Sequence, residues 1–195
     1  MKVNRKDKHS FNPATKPYPW AMEKYFNFYI NEVQPLVAQY GTQPATGMHG
    51  LETHTNAVVF RGIDYSLSLH QDPTPVVLAC AFHDMARVND EPDSEHGKNA
   101  VPMAMKILKQ FPNIDRDTRL AIYSAILNHT DGKSAPDYIS ACLWDADRTR
   151  MSWKYGFDDK FFNTPRGAYV AEQYFQKYVE FQKKLFPAYQ WAKAY

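Results

Sequence analysis

Residues 76–85 read Val-Val-Leu-Ala-Cys-Ala-Phe-His-Asp-Met. The first seven are apolar without alternation, and the run then ends on two ionisable side chains. Such a run fits either a buried helix or a buried strand, and length and flanks decide between them. Asp72-Pro73-Thr74-Pro75 precedes it and ends the helical segment before it, so the run stands as an element of its own. A buried helix is the reading. The fold must then bury a histidine and an aspartate at the end of its most apolar element, at a cost unless both find partners.

The neighbouring segments are helical too. Between Trp20 and Tyr40 apolar residues recur at Tyr25, Phe28, Tyr29, Val33, Leu36, Val37 and Tyr40, in helical steps. Gly41 to Gly47, with Pro44, breaks that pattern. A second helix is predicted over about Leu51–Leu69, with Leu51, His54, Val58 and Tyr65 on one stripe. Arg87–Glu95 is a polar loop carrying Pro92. Further helices are predicted over Ser94–Phe111 (Pro102 inside it), Asp115–Asn128 and Asp137–Trp153, with a long aromatic helix over Arg166–Lys184. Leu120, Ile122, Tyr123, Ile126 and Leu127 are core candidates of the Asp115–Asn128 helix. No hairpin signal sits between alternating segments. The expectation is an all-α helical bundle. A polar extended arm over residues 1–19 leads into one domain over residues 20–195.

The chain has 195 residues, 44% hydrophobic and 23% charged, enough for a core without staples and too apolar for a disordered protein. Lys and Arg number 23 against 21 Asp and Glu, a net charge of +2 that does not point to nucleic acid. Cys80 and Cys142 sit among apolar residues and read as buried free thiols. The charged start, Met-Lys-Val-Asn-Arg-Lys, has no apolar run behind it and does not read as a secretory signal. No apolar stretch approaches a membrane span. The expected compartment is the cytoplasm.

Four helical segments end in, or carry inward, a histidine or aspartate. These are His54, His83-Asp84, His129 after Ile126-Leu127-Asn128, and Asp145 with Asp147 in Leu-Trp-Asp-Ala-Asp-Arg. Taken singly, a core histidine is more often hydrogen-bonded to a neighbour than bound to metal. Their coincidence argues otherwise, because inward side chains from facing helices are how bundles build metal sites. Imidazole with carboxylate and no thiolate suits Mn, Fe, Ni, Co or Zn, with Mg as a further option.

The order His54, His83-Asp84, Asp147 resembles the H…HD…D signature of the HD-domain superfamily of metal-dependent phosphohydrolases. The string His49-Gly-Leu-Glu-Thr-His54 supports it, and Ala81-Phe-His83-Asp84, Asp93-Ser-Glu-His96-Gly97, Asn128-His129-Thr-Asp-Gly132 and Leu143-Trp-Asp-Ala-Asp147-Arg148 are similar to an uncharacterised bacterial branch. The similarity covers about residues 48–150 and extends weakly to Phe162-Asn163-Thr164. It implies that His54, His83, Asp84 and Asp147 hold one metal firmly. It implies that His96 and His129 ligate a second, weaker ion or line the pocket. Asp84 and His129 are the implied catalytic residues, and Asp145 stands behind the ligands or touches substrate. Thr149-Arg150 departs from the Leu-Asp that commonly follows the acid pair, at positions that touch no ligand.

The implied reaction is hydrolysis of a small phosphate ester, such as a nucleotide, by metal-activated water. The cations that would meet the phosphate are Arg87, three residues past Asp84, then Lys98, Arg61 and Arg148. Arg61 lies seven residues past His54 on the same helical face, and an ion pair with Asp64 or Asp84 is its alternative role. A di-iron oxygenase on the same fold is a second reading, and a non-enzymatic regulatory domain a third. His9 falls in the arm. His70 ends a helix and faces solvent or supports its last carbonyls. His49, five residues from His54, lies about 140° around a helix and stands behind the ligands at most. Tyr169, Gln173, Phe175, Tyr178, Phe181, Leu185 and Phe186 form a stripe for core or dimer packing. Tyr189, Trp191 and Tyr195 follow, so a homo-oligomer is open.

Overall fold

The computed structural model describes residues 12–151 and 156–185, apart from the side chains of residues 181–185. Every regular element among the described residues is helical. His9, Trp153, Phe186, Tyr189, Trp191 and Tyr195 lie outside them, as do the side chains of Phe181 and Leu185. The helices are α1 Pro19–Phe28, α2 Gln34–Tyr40, α3 Asn56–Ser68 and α4 Pro73–Phe82, then α5 His96–Leu108, α6 Arg116–Leu127, α7 Tyr138–Arg148 and α8 Pro165–Leu185. No helix among the described residues is long and apolar enough to cross a membrane.

α4 is the central element, and it carries the apolar run of residues 76–82. Asp72 caps it by accepting the Thr74 amide at 3.0 Å. Every residue from Pro75 to Phe82 is buried. α3, α6 and α7 pack around it. An all-round apolar helix has no solvent face to spare, so it must sit in the middle. Cys80 and Cys142 are free and buried as expected, and burial pushes both thiols up.

The single helix expected over Trp20–Tyr40 is interrupted. A π turn, Tyr29–Val33, joins α1 to α2. Pro35 supplies the reason, since it donates no backbone hydrogen bond and crowds the carbonyl four residues back. A second π turn, Leu51–Thr55, opens the helix expected from Leu51 and carries His54. Pro102, by contrast, is accommodated inside α5 without splitting it. Leu120 and Leu127 face outward, 53% and 48% exposed, while Ile122 and Ile126 are buried. α6 thus buries a narrower stripe than its apolar content suggested. At the end of α3, His70 takes a left-handed backbone (φ 55°) and its amide reaches the Leu67 carbonyl at 3.0 Å. The Gln71 amide reaches Ser66 at 3.0 Å, completing a Schellman cap in a position glycine usually fills.

Asp145, in the middle of α7, is fully buried. Its carboxylate accepts the amides of Asn163 and Thr164, the Asn163 side-chain amide and the Thr164 hydroxyl, at 2.6–3.1 Å. The structure therefore corrects the expected substrate role of Asp145. It pins the 162–164 segment and the start of α8 to α7. Burial raises its carboxyl to about 6, against the pull of these donors. Asp145→Ala leaves the donors buried and unpaired, and an expected loss of about 3 kcal/mol follows. Chemical denaturation monitored by circular dichroism measures it. A loss below about 0.5 kcal/mol, typical of an ordinary surface site, would contradict the assignment.

Candidate metal centre

Five separate parts of the chain deliver ligand-type atoms to one point. His54 comes from the π turn before α3, and His83 and Asp84 from the end of α4. His96 is the first residue of α5, and His129 follows α6. Asp147 is the penultimate residue of α7. His54, His83, Asp84, His96 and His129 are buried, and the Asp147 side chain is 25% exposed.

The two oxygens of Asp84 face different partners. Oδ2 lies 3.5 Å from His54 Nε2 and 3.4 Å from His83 Nε2. These two nitrogens are 3.3 Å apart, and Asp147 Oδ1 lies 3.1 Å from His54 and 3.9 Å from His83. Oδ1 of Asp84 faces His96 Nε2 at 3.1 Å and His129 Nε2 at 3.8 Å, and those two nitrogens approach to 2.7 Å. Two donors bound about 2.1 Å from one ion lie roughly 3–3.5 Å apart, so these spacings suit a shared cation. Buried groups of histidine and aspartate here could hold a metal ion.

The rings are set for it. His83 donates Nδ1–H to the Cys80 carbonyl at 2.8 Å, and His129 to Ile126 at 2.7 Å. His96 does the same to Asp93. Each carbonyl is three residues back, and each bond leaves Nε2 with its lone pair aimed at the cluster. Gly97 lets α5 come this close: a Cβ there would lie 2.7 Å from the Ile126 carbonyl oxygen and 3.0 Å from the His129 ring. His54 Nδ1 is buried without a partner.

The charge states of His83, Asp84 and Asp147 favour ligation as well. Burial lowers His83 to about 4, keeping it neutral near pH 7. Burial works against ionised Asp84, yet the surrounding histidines, His83 first, hold it well below the usual carboxylate range. Desolvation likewise opposes ionised Asp147, and its bond to His54 and the nearby rings hold it low. Burial disfavours protonated His129, but Asp84 and Asp147 outweigh that and raise its pKa. A metal at His129 must displace that proton. Metal titration by calorimetry is therefore expected to release protons, with affinity falling as pH drops from 7 to 5. The same titration in buffers of different ionisation enthalpy measures the release, and pH-independent affinity would contradict it.

Two placements, those of His49 and Arg61, differ from expectation. His49 joins the cluster, donating Nδ1–H to Asp84 Oδ2 at 3.2 Å, with its side chain 21% exposed. The rotation argument fails because residues 45–50 are turns and bends, not helix. Asp90 holds this loop by accepting the amides of Met48 and His49 at 3.0 and 2.8 Å. His96 sits in the first turn of α5, inside the helix predicted from Ser94. Arg61 turns away from the cluster. The wider π turn shifts the register between it and His54, and its Nε bonds the Ala146 carbonyl at 2.7 Å. The Asp64 carboxylate pairs instead with Arg166, at 2.9 Å.

The remaining expected cations are also occupied. Arg87 is buried, with Nε on Asp84 Oδ1 at 3.2 Å and Nη1 on the Glu91 carbonyl at 3.1 Å. It braces the central carboxylate. Arg148 bonds the carbonyls of His129, Gly132 and Phe161. Lys98 is 71% exposed and pairs with Glu95 at 3.0 Å. Arg150, which the sequence did not single out, bonds the Met48 carbonyl at 2.7 Å beside His49. No protein-family model, curated protein or solved structure matches this chain.

Proposed function

We propose that the chain is a metal-dependent hydrolase of a small phosphate ester. One observation carries the reading: Asp84 turns one carboxylate oxygen to His54 and His83, and the other to His96 and His129. A carboxylate shared this way is what a two-ion phosphoryl-transfer site requires. His54, His83, Asp84 and Asp147 would hold one ion, and Asp84, His96 and His129 the other. All donors are nitrogen or oxygen, which suits Mn, Fe, Co, Ni or Zn. Bound there, such ions lower the pKa of water and polarise a phosphoryl oxygen.

The chain's own residues supply the rest. Arg87 keeps Asp84 oriented by holding Oδ1, the oxygen that also faces His96 and His129. Arg150 is the cation held at the Met48–His49 rim, where a phosphate oxygen would enter. His49 sits on the solvent side of Asp84, placed to pass a proton to or from a substrate oxygen. His49→Ala is then expected to lower kcat by about 10²–10⁴-fold while the metal content stays. Loss of metal in that variant would make His49 a ligand instead.

The direct test is metal quantification on protein purified without chelator, followed by a phosphatase screen over nucleotides and sugar phosphates. Turnover that a chelator abolishes and one ion restores is the expected result. A metal-loaded protein inert on every phosphate would refute the reading. The same six-residue set of histidine and carboxylate also suits a di-iron oxygenase, and oxygen uptake by anaerobically iron-loaded protein would favour that alternative.

A further inference from the structure

The loop that carries His49 has its backbone held in an uncommon way. Polar backbone groups on an irregular surface turn ordinarily face water. At Met48 and His49 all four are instead claimed by side chains from distant positions. The amides of Met48 and His49 donate to the two oxygens of Asp90, at 3.0 and 2.8 Å. The Met48 carbonyl accepts from Arg150 Nη1 at 2.7 Å, and the His49 carbonyl from Gln43 Nε2 at 2.6 Å.

Gln43 also donates to the Thr55 hydroxyl at 2.8 Å, while its own Oε1 is buried with no hydrogen-bond partner. Leaving that oxygen unpaired costs stability, whereas the Nε2 bonds join the His49 loop to the turn that carries His54. Asp90 is exposed, but a carboxylate that accepts two amides makes charge-assisted bonds, stronger than neutral ones. Those amides hold its carboxyl below the usual range. Gly47 allows the approach: it takes φ 113°, and a Cβ there would lie 2.8 Å from Asp90 Oδ2. The Asp90 segment is tied in turn to Asp84, because Arg87 bonds both Asp84 Oδ1, at 3.2 Å, and the Glu91 carbonyl, at 3.1 Å. The backbone of His49 is thus fixed to the same part of the chain as the carboxylate that its ring meets at 3.2 Å.

We infer that Asp90 and Gln43 are positioning residues, which clamp the His49 peptide so that its ring stays on Asp84 with Nδ1–H donated. The lone pair of that tautomer is on Nε2, the atom left to exchange a proton with a substrate. The effect on turnover rests on the proposed hydrolase reading, in which His49 moves a proton; the effect on the ring does not. An imidazole on an unclamped turn leaves its alignment, and a misplacement of about 1 Å costs roughly 10²-fold in rate. The bonds of Asp90 and Gln43 go to Met48, His49 and Thr55 and not to a proposed metal ligand, so metal content should stay.

The ring is read directly by long-range proton–nitrogen correlation on the full chain, labelled at histidine and kept metal-free with a chelator. The spectrum shows which ring nitrogen carries the proton, and His49→Ala identifies the His49 signals. In the wild type they are expected to report Nδ1–H. In Asp90→Ala, and in Gln43→Glu, which keeps the size and removes the donors, they should move to the tautomer mixture of an unconstrained imidazole. The signals of His83 and His129 should stay. In the kinetic arm both variants are expected to lose about 10²-fold in kcat, with KM within about twofold and metal content unchanged. Asp90→Asn, which keeps an accepting oxygen, should lose less. In a His49→Ala background neither substitution should lower kcat further. Unchanged His49 signals in both variants would overturn the inference, as would signals of all the histidines moving together or losses that add in full to that of His49→Ala. A protein inert on every phosphate would remove the hydrolase reading alone, and the ring signals would then decide the clamp.

Discussion

Asp84→Ala is expected to strip bound metal and abolish turnover together. No other residue in the cluster faces both groups of histidines: its oxygens lie within 3.8 Å of His54, His83, His96 and His129. Removing it takes a ligand from each proposed ion at once. Loss of a mere supporting partner already costs ~10–100-fold in metal affinity, and loss of a shared ligand costs more. The variant also frees Arg87, whose Nε sits 3.2 Å from Asp84 Oδ1, and leaves a buried guanidinium without its carboxylate. Lower stability is thus expected alongside metal loss. Asp84→Asn separates the two effects, since it keeps the volume and an oxygen but not the charge. Metal content is read by elemental analysis after gel filtration, and folding by circular dichroism. A folded Asp84→Asn variant that retains full metal and full rate would sink the assignment.

The helical plan and the inward placement of His54, His83 and Asp84 were legible because both rest on local pattern, whereas Asp147 was singled out beside Asp145 by the resemblance alone. α4 declares itself by an unbroken apolar run, and burying such a helix forces His83 and Asp84 inward. His54 keeps its inward place because Leu51, Val58 and Tyr65 share its stripe and are all buried. What stayed hidden depends on contacts made far along the chain. The donors that claim Asp145 come from residues 163 and 164, and nothing near Asp145 announces them. Arg61 is misplaced by a π turn that has no proline to mark it, and the Ala146 carbonyl that receives it is 85 residues away. His49 is missed because regular rotation cannot be carried back through a turn. One signal was available: Gly47, which takes φ 113°, and Gly50 bracket the segment and mark it as non-helical.

The second large effect separates the two halves of the cluster. His96→Ala and His129→Ala are each expected to lower the metal content from two ions per chain to one, with turnover falling by ~10² or more. Geometry favours two ions over one firm ion with an occasional second. The His96 ring is locked to the Asp93 carbonyl and His129 to Ile126, so both present Nε2 without having to move. Their nitrogens stand 2.7 Å apart with Asp84 Oδ1 3.1 Å from His96, a pre-formed set of three donors. Pre-formed donors lose little conformational freedom on binding, which strengthens the site. The His54, His83 and Asp147 group keeps its own contacts in both variants, so one ion should remain. Titration of wild type and both variants with Mn²⁺ or Zn²⁺ counts the ions directly. One tightly held ion in all three proteins, with turnover lost only in the variants, would instead make His96 and His129 acid–base or phosphate-contacting residues. Because the rings are buried and fixed, a fall from two ions to one in His96→Ala but not in His129→Ala would further place His129 between the groups, as its 5.1 Å ring contact with His83 allows.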